Sequence, residues 1–87
     1  MADVKAIRFH AAWCGPCRAY KPLWDNTVNE LGDKAEFISV DIDKDTEGIA
    51  AKYRVQSIPT TVIVKGEEVV KEVGIITEQK LKELILF

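Results

Sequence analysis

Two cysteines separated by two residues are the part of this sequence most suited to chemistry. Cys14 and Cys17 are the only cysteines of the chain, and they lie after an apolar stretch and before a helical pattern. A Cys-x-x-Cys pair that opens a helix after a strand is typical of a thiol–disulfide redox site. The unpaired N–H groups and partial positive charge of a helix N-terminus stabilise a thiolate at Cys14. Since the thiolate is the reactive form of cysteine, the spacing predicts reversible disulfide chemistry.

The residues between the cysteines support this prediction, and two alternatives are weaker. Pro16 suits the first turn because it leaves no N–H unsatisfied, and Gly15 keeps the approach to Cys14 open. A structural zinc site needs four ligands, whereas the chain offers two cysteines and one histidine, His10. Two inert, buried cysteines are the other alternative, but Gly-Pro at a helix start is poor core filler. We therefore predict a redox site without a metal.

Length and composition restrict the class of protein. The 87 residues predict one domain covering 1–87, and 47% hydrophobic with 30% charged residues indicates a globular chain. A net charge of −2 gives no reason to expect nucleic acid or an anionic membrane as a partner. No apolar run is long enough to span a bilayer, and the first residues lack a signal-peptide pattern. We therefore expect a cytoplasmic protein, in which the cysteine pair is catalytic.

Apolar periodicity predicts a strand, a long helix and a second strand. The first strand covers residues 4–9, the helix runs from Cys14 to Leu31, and the second strand covers residues 37–42. Pro22 lies inside the helix, where we expect a kink. Strands joined by a helical crossover lie parallel with a right-handed connection, so these elements predict a parallel unit.

The second half of the chain predicts four shorter elements. They are a helix over residues 46–53, strands over 61–64 and 69–73, and a helix over 77–86. Asp45 or Thr46 caps the first of these helices, and Thr77 caps the second. The glycine-containing turn between the two strands predicts a hairpin.

From residue 7 to the C-terminus the sequence resembles the thioredoxin family. The residues that carry the resemblance are Phe9, Ala11, Trp13-Cys14-Gly15-Pro16-Cys17, Pro22, Asp43, Tyr53, Ile58-Pro59-Thr60, Gly66 and Val73-Gly74. The resemblance implies an α/β thioredoxin fold with a truncated four-stranded mixed sheet flanked by three helices. The strands are expected in the order second, first, third, fourth. The chain resembles a short, phage- or archaeal-like member that lacks the usual N-terminal strand and helix.

The resemblance also implies a role for individual residues. Cys14 attacks a substrate disulfide and forms a mixed disulfide, which the less exposed Cys17 resolves. The Ile58–Pro59 bond is expected to be cis, which puts Pro59 beside the cysteines. The substrate-binding residues implied by the family are Trp13, Gly15, Pro16, Ile58, Pro59, Val73 and Gly74. For Trp13 the alternative is packing in the core.

Four residues depart from the family pattern or modulate the site. Arg8 stands where the family usually has a buried aspartate behind Cys17, and Ser39 stands where it usually has a lysine. Asp41 is the predicted counter-charge of Arg8, unless the guanidinium reaches water past the sheet edge. His10 occupies a commonly aromatic position and is either a packing ring or a substitute proton carrier.

The resemblance implies a thiol–disulfide oxidoreductase that acts as a protein-disulfide reductase and electron carrier. No bound cofactor is expected, because the Cys14–Cys17 disulfide carries the electrons. A thioredoxin reductase-like partner using NADPH would regenerate the dithiol, and we expect a monomer acting on protein disulfides. The alternatives are a docking subunit of a larger assembly with no redox turnover, and a disulfide oxidase or isomerase.

Overall fold

A four-stranded mixed sheet forms the centre of the computed structural model, which describes residues 3–87. The strands are β1 (Val4–His10), β2 (Glu36–Asp41), β3 (Thr60–Lys65) and β4 (Glu68–Val73). Their order in the sheet is β2-β1-β3-β4, as predicted. β1 pairs in parallel with β2 and antiparallel with β3, and β3 pairs antiparallel with β4. The carboxyl ends of β1 and β2 therefore meet at one edge of the sheet.

Three α-helices surround the sheet: α1 (Gly15–Leu31), α2 (Ile49–Lys52) and α3 (Glu78–Leu86). Cys14 is the N-cap of α1 and Gly32 is its C-cap. The φ of Gly32 is +50°, a conformation that favours glycine. α1 continues through Pro22, and the predicted kink there stays a prediction. Thr77 caps α3 as expected, because its hydroxyl accepts a hydrogen bond from the Lys80 N–H. Within residues 3–87, no helix has the length and hydropathy needed to cross a membrane.

The helix predicted over residues 46–53 is wrong at its beginning, and Asp45 is the reason. Its carboxylate accepts hydrogen bonds from the Ile49 and Ala50 N–H groups at 2.9 and 2.8 Å, so the regular helix starts only at Ile49. These bonds hold the pKa of Asp45 below its ordinary value. Gly48 precedes the helix with a φ of +68°, a conformation that favours glycine.

Apolar side chains cover both faces of the sheet. The cluster on the face covered by α1 and α3 is formed by Ala6, Tyr20, Trp24, Ala35, Ile63, Leu81 and Ile85. The cluster on the other face is formed by Ile7, Phe9, Val40 and Val62. A third, small cluster contains Ala11, Cys14 and Cys17. The cysteine pair thus packs against Ala11, the residue that follows β1.

Candidate active site

Cys14 and Cys17 form a disulfide at the N-terminus of α1. Their Cα atoms lie 5.3 Å apart, and the Cys17 N–H donates a hydrogen bond of 3.2 Å to Cys14 Sγ. Cys14 is 4% exposed and Cys17 is 3% exposed, so the disulfide form buries the two almost equally. Any preference of a substrate for Cys14 must therefore come from its position at the helix end, where backbone N–H groups stabilise a thiolate.

The loop before α1 is held by backbone and side-chain hydrogen bonds. The Cys14 N–H donates to the carbonyl of Ala11 at 3.2 Å, which closes a tight turn after β1. Arg18, one turn into α1, donates from Nη2 to the carbonyl of Ala12 at 2.9 Å. Because the loop is closed by one hydrogen bond of its own and is bonded to the first turn of α1, it holds Cys14 in a defined position at the start of that helix.

The second loop beside the disulfide contains Ile58 and Pro59. The peptide bond between them is cis, and Ile58 packs against the cysteine cluster. The Pro59 carbonyl accepts a 2.8 Å hydrogen bond from the Gly74 N–H, and Gly74 has a φ of +89° that suits glycine. The structure thus brings the loop before β3 and the end of β4 together beside the disulfide, although they are distant in sequence.

Exposed apolar side chains stand around the buried disulfide. Trp13 and Val73 are each 64% exposed and Ile75 is 48% exposed. The core-packing alternative for Trp13 is therefore wrong. Gly15 and Pro16 are also exposed, which leaves the residues between the cysteines accessible. These residues lie where the resemblance places a substrate-facing surface.

Asp43 orients Trp13, a contact that the sequence analysis missed. Trp13 Nε1 donates a hydrogen bond of 2.8 Å to Asp43 Oδ2. Asp43 lies two residues beyond the end of β2, in a 3₁₀ turn where the Asp41 carboxylate accepts from the Asp43 N–H at 2.9 Å. Since β1 and β2 are parallel, the segments that follow them meet at one sheet edge, and this topology is the signal that could have predicted the pair.

A cleft of about 300 Å³ lies beside the disulfide on the side of Trp13. Its lining residues are Trp13, Ile42, Ala50, Val55, Gln56, Ser57 and Ile58. The lining is mostly apolar, which is typical of pockets that bind ligands.

Arg8 is buried, and the prediction that Asp41 is its counter-charge is wrong. Arg8 is 5% exposed, so the alternative in which it reaches water is also wrong. Its Nη2 donates to Ser39 Oγ at 3.1 Å, and its guanidinium carbon lies 5.9 Å from the Trp24 ring centre. Within residues 3–87, Nε has no hydrogen-bond partner. The parallel register pairs Arg8 with Ser39 and puts Asp41 opposite His10, where its carboxylate caps the turn that follows β2.

Burial lowers the pKa of Arg8, and the Asp25 carboxylate opposes this shift. The guanidinium stays charged at physiological pH, since its ordinary pKa is far above neutrality. Because the charge is buried, water screens it weakly from neighbouring groups.

His10, at the end of β1, is half-buried. Burial first, and then repulsion by Arg8 and Lys21, lowers the pKa of His10, while Asp41 acts in the opposite direction. His10 also lines a pocket that reaches Cys17. The structure therefore brings His10 and Arg8 to the site but leaves Asp41 outside that pocket.

The chain is similar to known proteins in both sequence and structure. A family model described as thioredoxin matches residues 2–86. The thioredoxin of Bacillus subtilis is 41% identical over 78 residues, which cover 88% of this chain and 74% of that protein. The thioredoxin of Staphylococcus epidermidis is 39% identical over 85 residues, covering 97% of this chain and 81% of that protein. The X-ray structure of Fasciola hepatica thioredoxin has a TM-score of 0.80 at 38% identity, covering 94% of this chain and 77% of that chain.

Among residues 3–87, no group of three or more His, Cys, Asp or Glu side chains could hold a metal ion. The Cys14–Cys17 disulfide of the site can interconvert with a dithiol by thiol–disulfide exchange. Since the family model covers nearly the whole chain, and relatives with this fold match most of it, the chain belongs to the thioredoxin family and is a thiol–disulfide oxidoreductase.

Proposed function

We propose that the protein reduces disulfides of other proteins, with Cys14 as the nucleophile and Cys17 as the resolving cysteine. The observation that supports these roles is the position of Cys14 at the N-cap of α1, where the Cys17 N–H points at its sulfur. In the reduced protein the same N–H groups favour a thiolate on Cys14. Cys17, one turn inside the helix, lacks this stabilisation.

The reaction then follows two exchange steps. The Cys14 thiolate attacks one sulfur of the substrate disulfide, and the other substrate sulfur leaves as a thiolate. The Cys17 thiolate next attacks Cys14 Sγ, which forms the Cys14–Cys17 disulfide and releases the second substrate sulfur. Two electrons pass from the dithiol to the substrate, so a bound cofactor has no part in these steps.

The substrate surface that we propose is an apolar rim around the disulfide, here called the docking rim. It consists of Trp13, Gly15, Pro16, Ile58, Pro59, Val73, Gly74 and Ile75. Its exposed apolar side chains support a polypeptide as the substrate, since contiguous exposed apolar surface commonly marks a protein-binding site.

We further propose that the protein works as a cytoplasmic, monomeric electron carrier. A thioredoxin reductase-like partner, using NADPH, would return the disulfide to the dithiol. The bacterial thioredoxins that match the chain support a reductase as the source of electrons. The composition, with charges of both signs and a net charge of −2, supports a monomer acting on other proteins.

A variant with both cysteines changed, Cys14→Ser and Cys17→Ser, tests the proposed function. We expect it to lose reduction of a protein disulfide entirely while keeping its fold, because serine is close to cysteine in size. Turnover is measured with dithiothreitol as the electron donor, and the fold by circular dichroism. If the double variant instead supports an assembly as well as the wild type does, the docking alternative is correct. An equilibrium potential well above that of the glutathione pool would indicate an oxidase or isomerase.

The docking rim is tested by Ile75→Asp. We expect reduction of a protein disulfide to become about tenfold less efficient, because a charge in an apolar interface costs about 1.4 kcal/mol or more. Reduction of a small linear disulfide such as bis(2-hydroxyethyl) disulfide should change less than about twofold. Both rates are measured as kcat/KM.

The matched control is Val69→Asp, because Val69 is also apolar and 51% exposed but lies at the other end of β4. We expect it to leave both substrates unaffected. An equal loss on both substrates for Ile75→Asp would show that Ile75 supports the fold and not docking.

A further inference from the structure

A second pocket, of about 210 Å³, lies beside Cys17 on the side away from Trp13. Its lining residues are Arg8, His10, Ala11, Ala12, Cys17, Arg18 and Lys21. No carboxylate of residues 3–87 lines it, and lysine and arginine side chains are hydrogen-bond donors that offer no acceptor. His10 is the lining side chain that can take up a proton there.

Cys17 needs such a proton acceptor. In the mixed disulfide Cys17 is a thiol, and it becomes a nucleophile only when it loses its proton. An ordinary thiol has a pKa of about 8.5, and burial in apolar surroundings opposes ionisation. Cys17 is 3% exposed and packs with Ala11 and Cys14. At neutral pH the second exchange step would therefore be slow without a group that takes the proton.

We propose that His10 accepts the proton of Cys17 in the second exchange step, through solvent in the pocket that both side chains line. The proposal rests on the proposed function and adds a residue to it. The Cys17 thiol gives its proton to the neutral imidazole, and the resulting thiolate attacks Cys14 Sγ. The Cys14–Cys17 bond forms while the bond from Cys14 to the substrate sulfur breaks. The substrate thiolate leaves with the electron pair, and the imidazolium then gives its proton to this thiolate or to water.

The charged side chains that act on His10 lie on its own strand, on α1 and on β2. Arg8 lies on the same strand and Lys21 on α1, and both disfavour a second charge on the imidazole. Asp41 lies opposite on β2 and favours it. Burial adds to the effect of the two cations, and together they favour the neutral imidazole, the form that can accept a proton. The β3 positions paired with this end of β1 are threonines and carry no titratable group.

Arg8 acts on both ends of this proton transfer. Arg8 is buried and lines the same pocket as Cys17, and its charge favours the Cys17 thiolate over the thiol, since a nearby cation lowers a thiol pKa. The same charge lowers the pKa of His10. Arg8 therefore eases the loss of the proton from Cys17 and at the same time makes His10 a weaker base.

The competing explanation is that His10 is only a packing ring. The His10→Phe variant distinguishes the two explanations, because phenylalanine keeps an aromatic ring but cannot accept a proton. Reduced protein is mixed with a synthetic peptide containing one intramolecular disulfide, quenched in acid at successive times, and examined by intact-mass spectrometry. The mass of the peptide adduct reports the mixed disulfide on Cys14. At pH 7 we expect the adduct to persist on the order of 100-fold longer in His10→Phe than in the wild type. The difference should shrink towards pH 9, where Cys17 ionises unaided.

Lys21→Gln is the control, because it removes a charge from the pocket but keeps the imidazole. Because Lys21 lowers the pKa of His10, its removal makes the imidazole a stronger base, and we expect an adduct lifetime at pH 7 no longer than that of the wild type. An adduct in His10→Phe as short-lived as in the wild type from pH 6 to 9, or one prolonged equally by Lys21→Gln, would overturn the role of His10. The proposed function itself would be wrong if even the Cys17→Ser variant, which cannot resolve a mixed disulfide, formed no adduct with the peptide.

Discussion

Cys17→Ser is expected to stop turnover and to leave the substrate covalently attached to Cys14. Without a thiol at position 17 the mixed disulfide has no internal nucleophile, and a serine hydroxyl is far less acidic than a thiol. We expect steady-state reduction of a protein disulfide to fall by at least about 10³-fold, as when one member of a covalent catalytic unit is removed. Non-reducing electrophoresis and intact-mass spectrometry measure the trapped complex.

Cys14→Ser is the matched control, since it removes the other sulfur of the same disulfide. It should be equally inactive but should trap no substrate, because Cys17 lies one turn inside α1 and both residues are buried in the disulfide form. A stable complex on Cys17 in the Cys14→Ser variant would show that the two roles are reversed. Circular dichroism of both variants checks that the fold is retained.

Arg8→Asp is expected to make the protein more reducing. Arg8 lines the pocket at Cys17, and its positive charge favours the thiolate of the reduced form, whereas a carboxylate at this position would favour the thiol. Stabilising the reduced form raises the reduction potential, so the wild type should be the more oxidising protein. The effect is largest where the thiols ionise, so we expect a fall of roughly 30–60 mV at pH 9, corresponding to about 1.4–2.8 kcal/mol.

The potential is measured by equilibration with reduced and oxidised glutathione at pH 7 and pH 9. Arg8→Met is the matched variant, because it keeps an apolar stem of similar length and removes the charge, together with the hydrogen bond to Ser39, without introducing an anion. We expect a potential between those of the wild type and Arg8→Asp. Equal potentials for all three proteins at pH 9, or a more oxidising Arg8→Asp, would contradict an electrostatic action of Arg8 on the cysteines.

Local signals in the sequence determined most of the fold and the redox centre. The Cys14–Cys17 spacing before a helical pattern predicted the disulfide, because a helix start and two thiols one turn apart are both local features. Gly32 and Thr77 marked helix ends through backbone chemistry that involves only neighbouring residues. The strand order needed the family resemblance in addition, and the sheet confirms it.

The element bounds that were wrong depended on side chains that compete with regular structure. β2 was predicted over residues 37–42 but spans Glu36–Asp41, because the Asp41 carboxylate accepts from the Asp43 N–H and starts a 3₁₀ turn at Ile42. Asp45 likewise delays α2 to Ile49. Aspartate can bond to backbone groups of either a turn or a helix, and periodicity does not show which it selects.

Only the tertiary structure decided the partners of the residues around the cysteines. Alternation put Ser39 and Asp41 on one strand face, but the register of β1 against β2 selects Ser39 for Arg8 and leaves Asp41 opposite His10. Trp13 and Asp43 are 30 residues apart and meet because two parallel strands end at the same sheet edge. Such contacts depend on strand register and side-chain direction together, and a shift of one residue would exchange every partner. The sequence by itself therefore determined which residues carry the chemistry, and packing of the sheet against α1 decided which charges surround it.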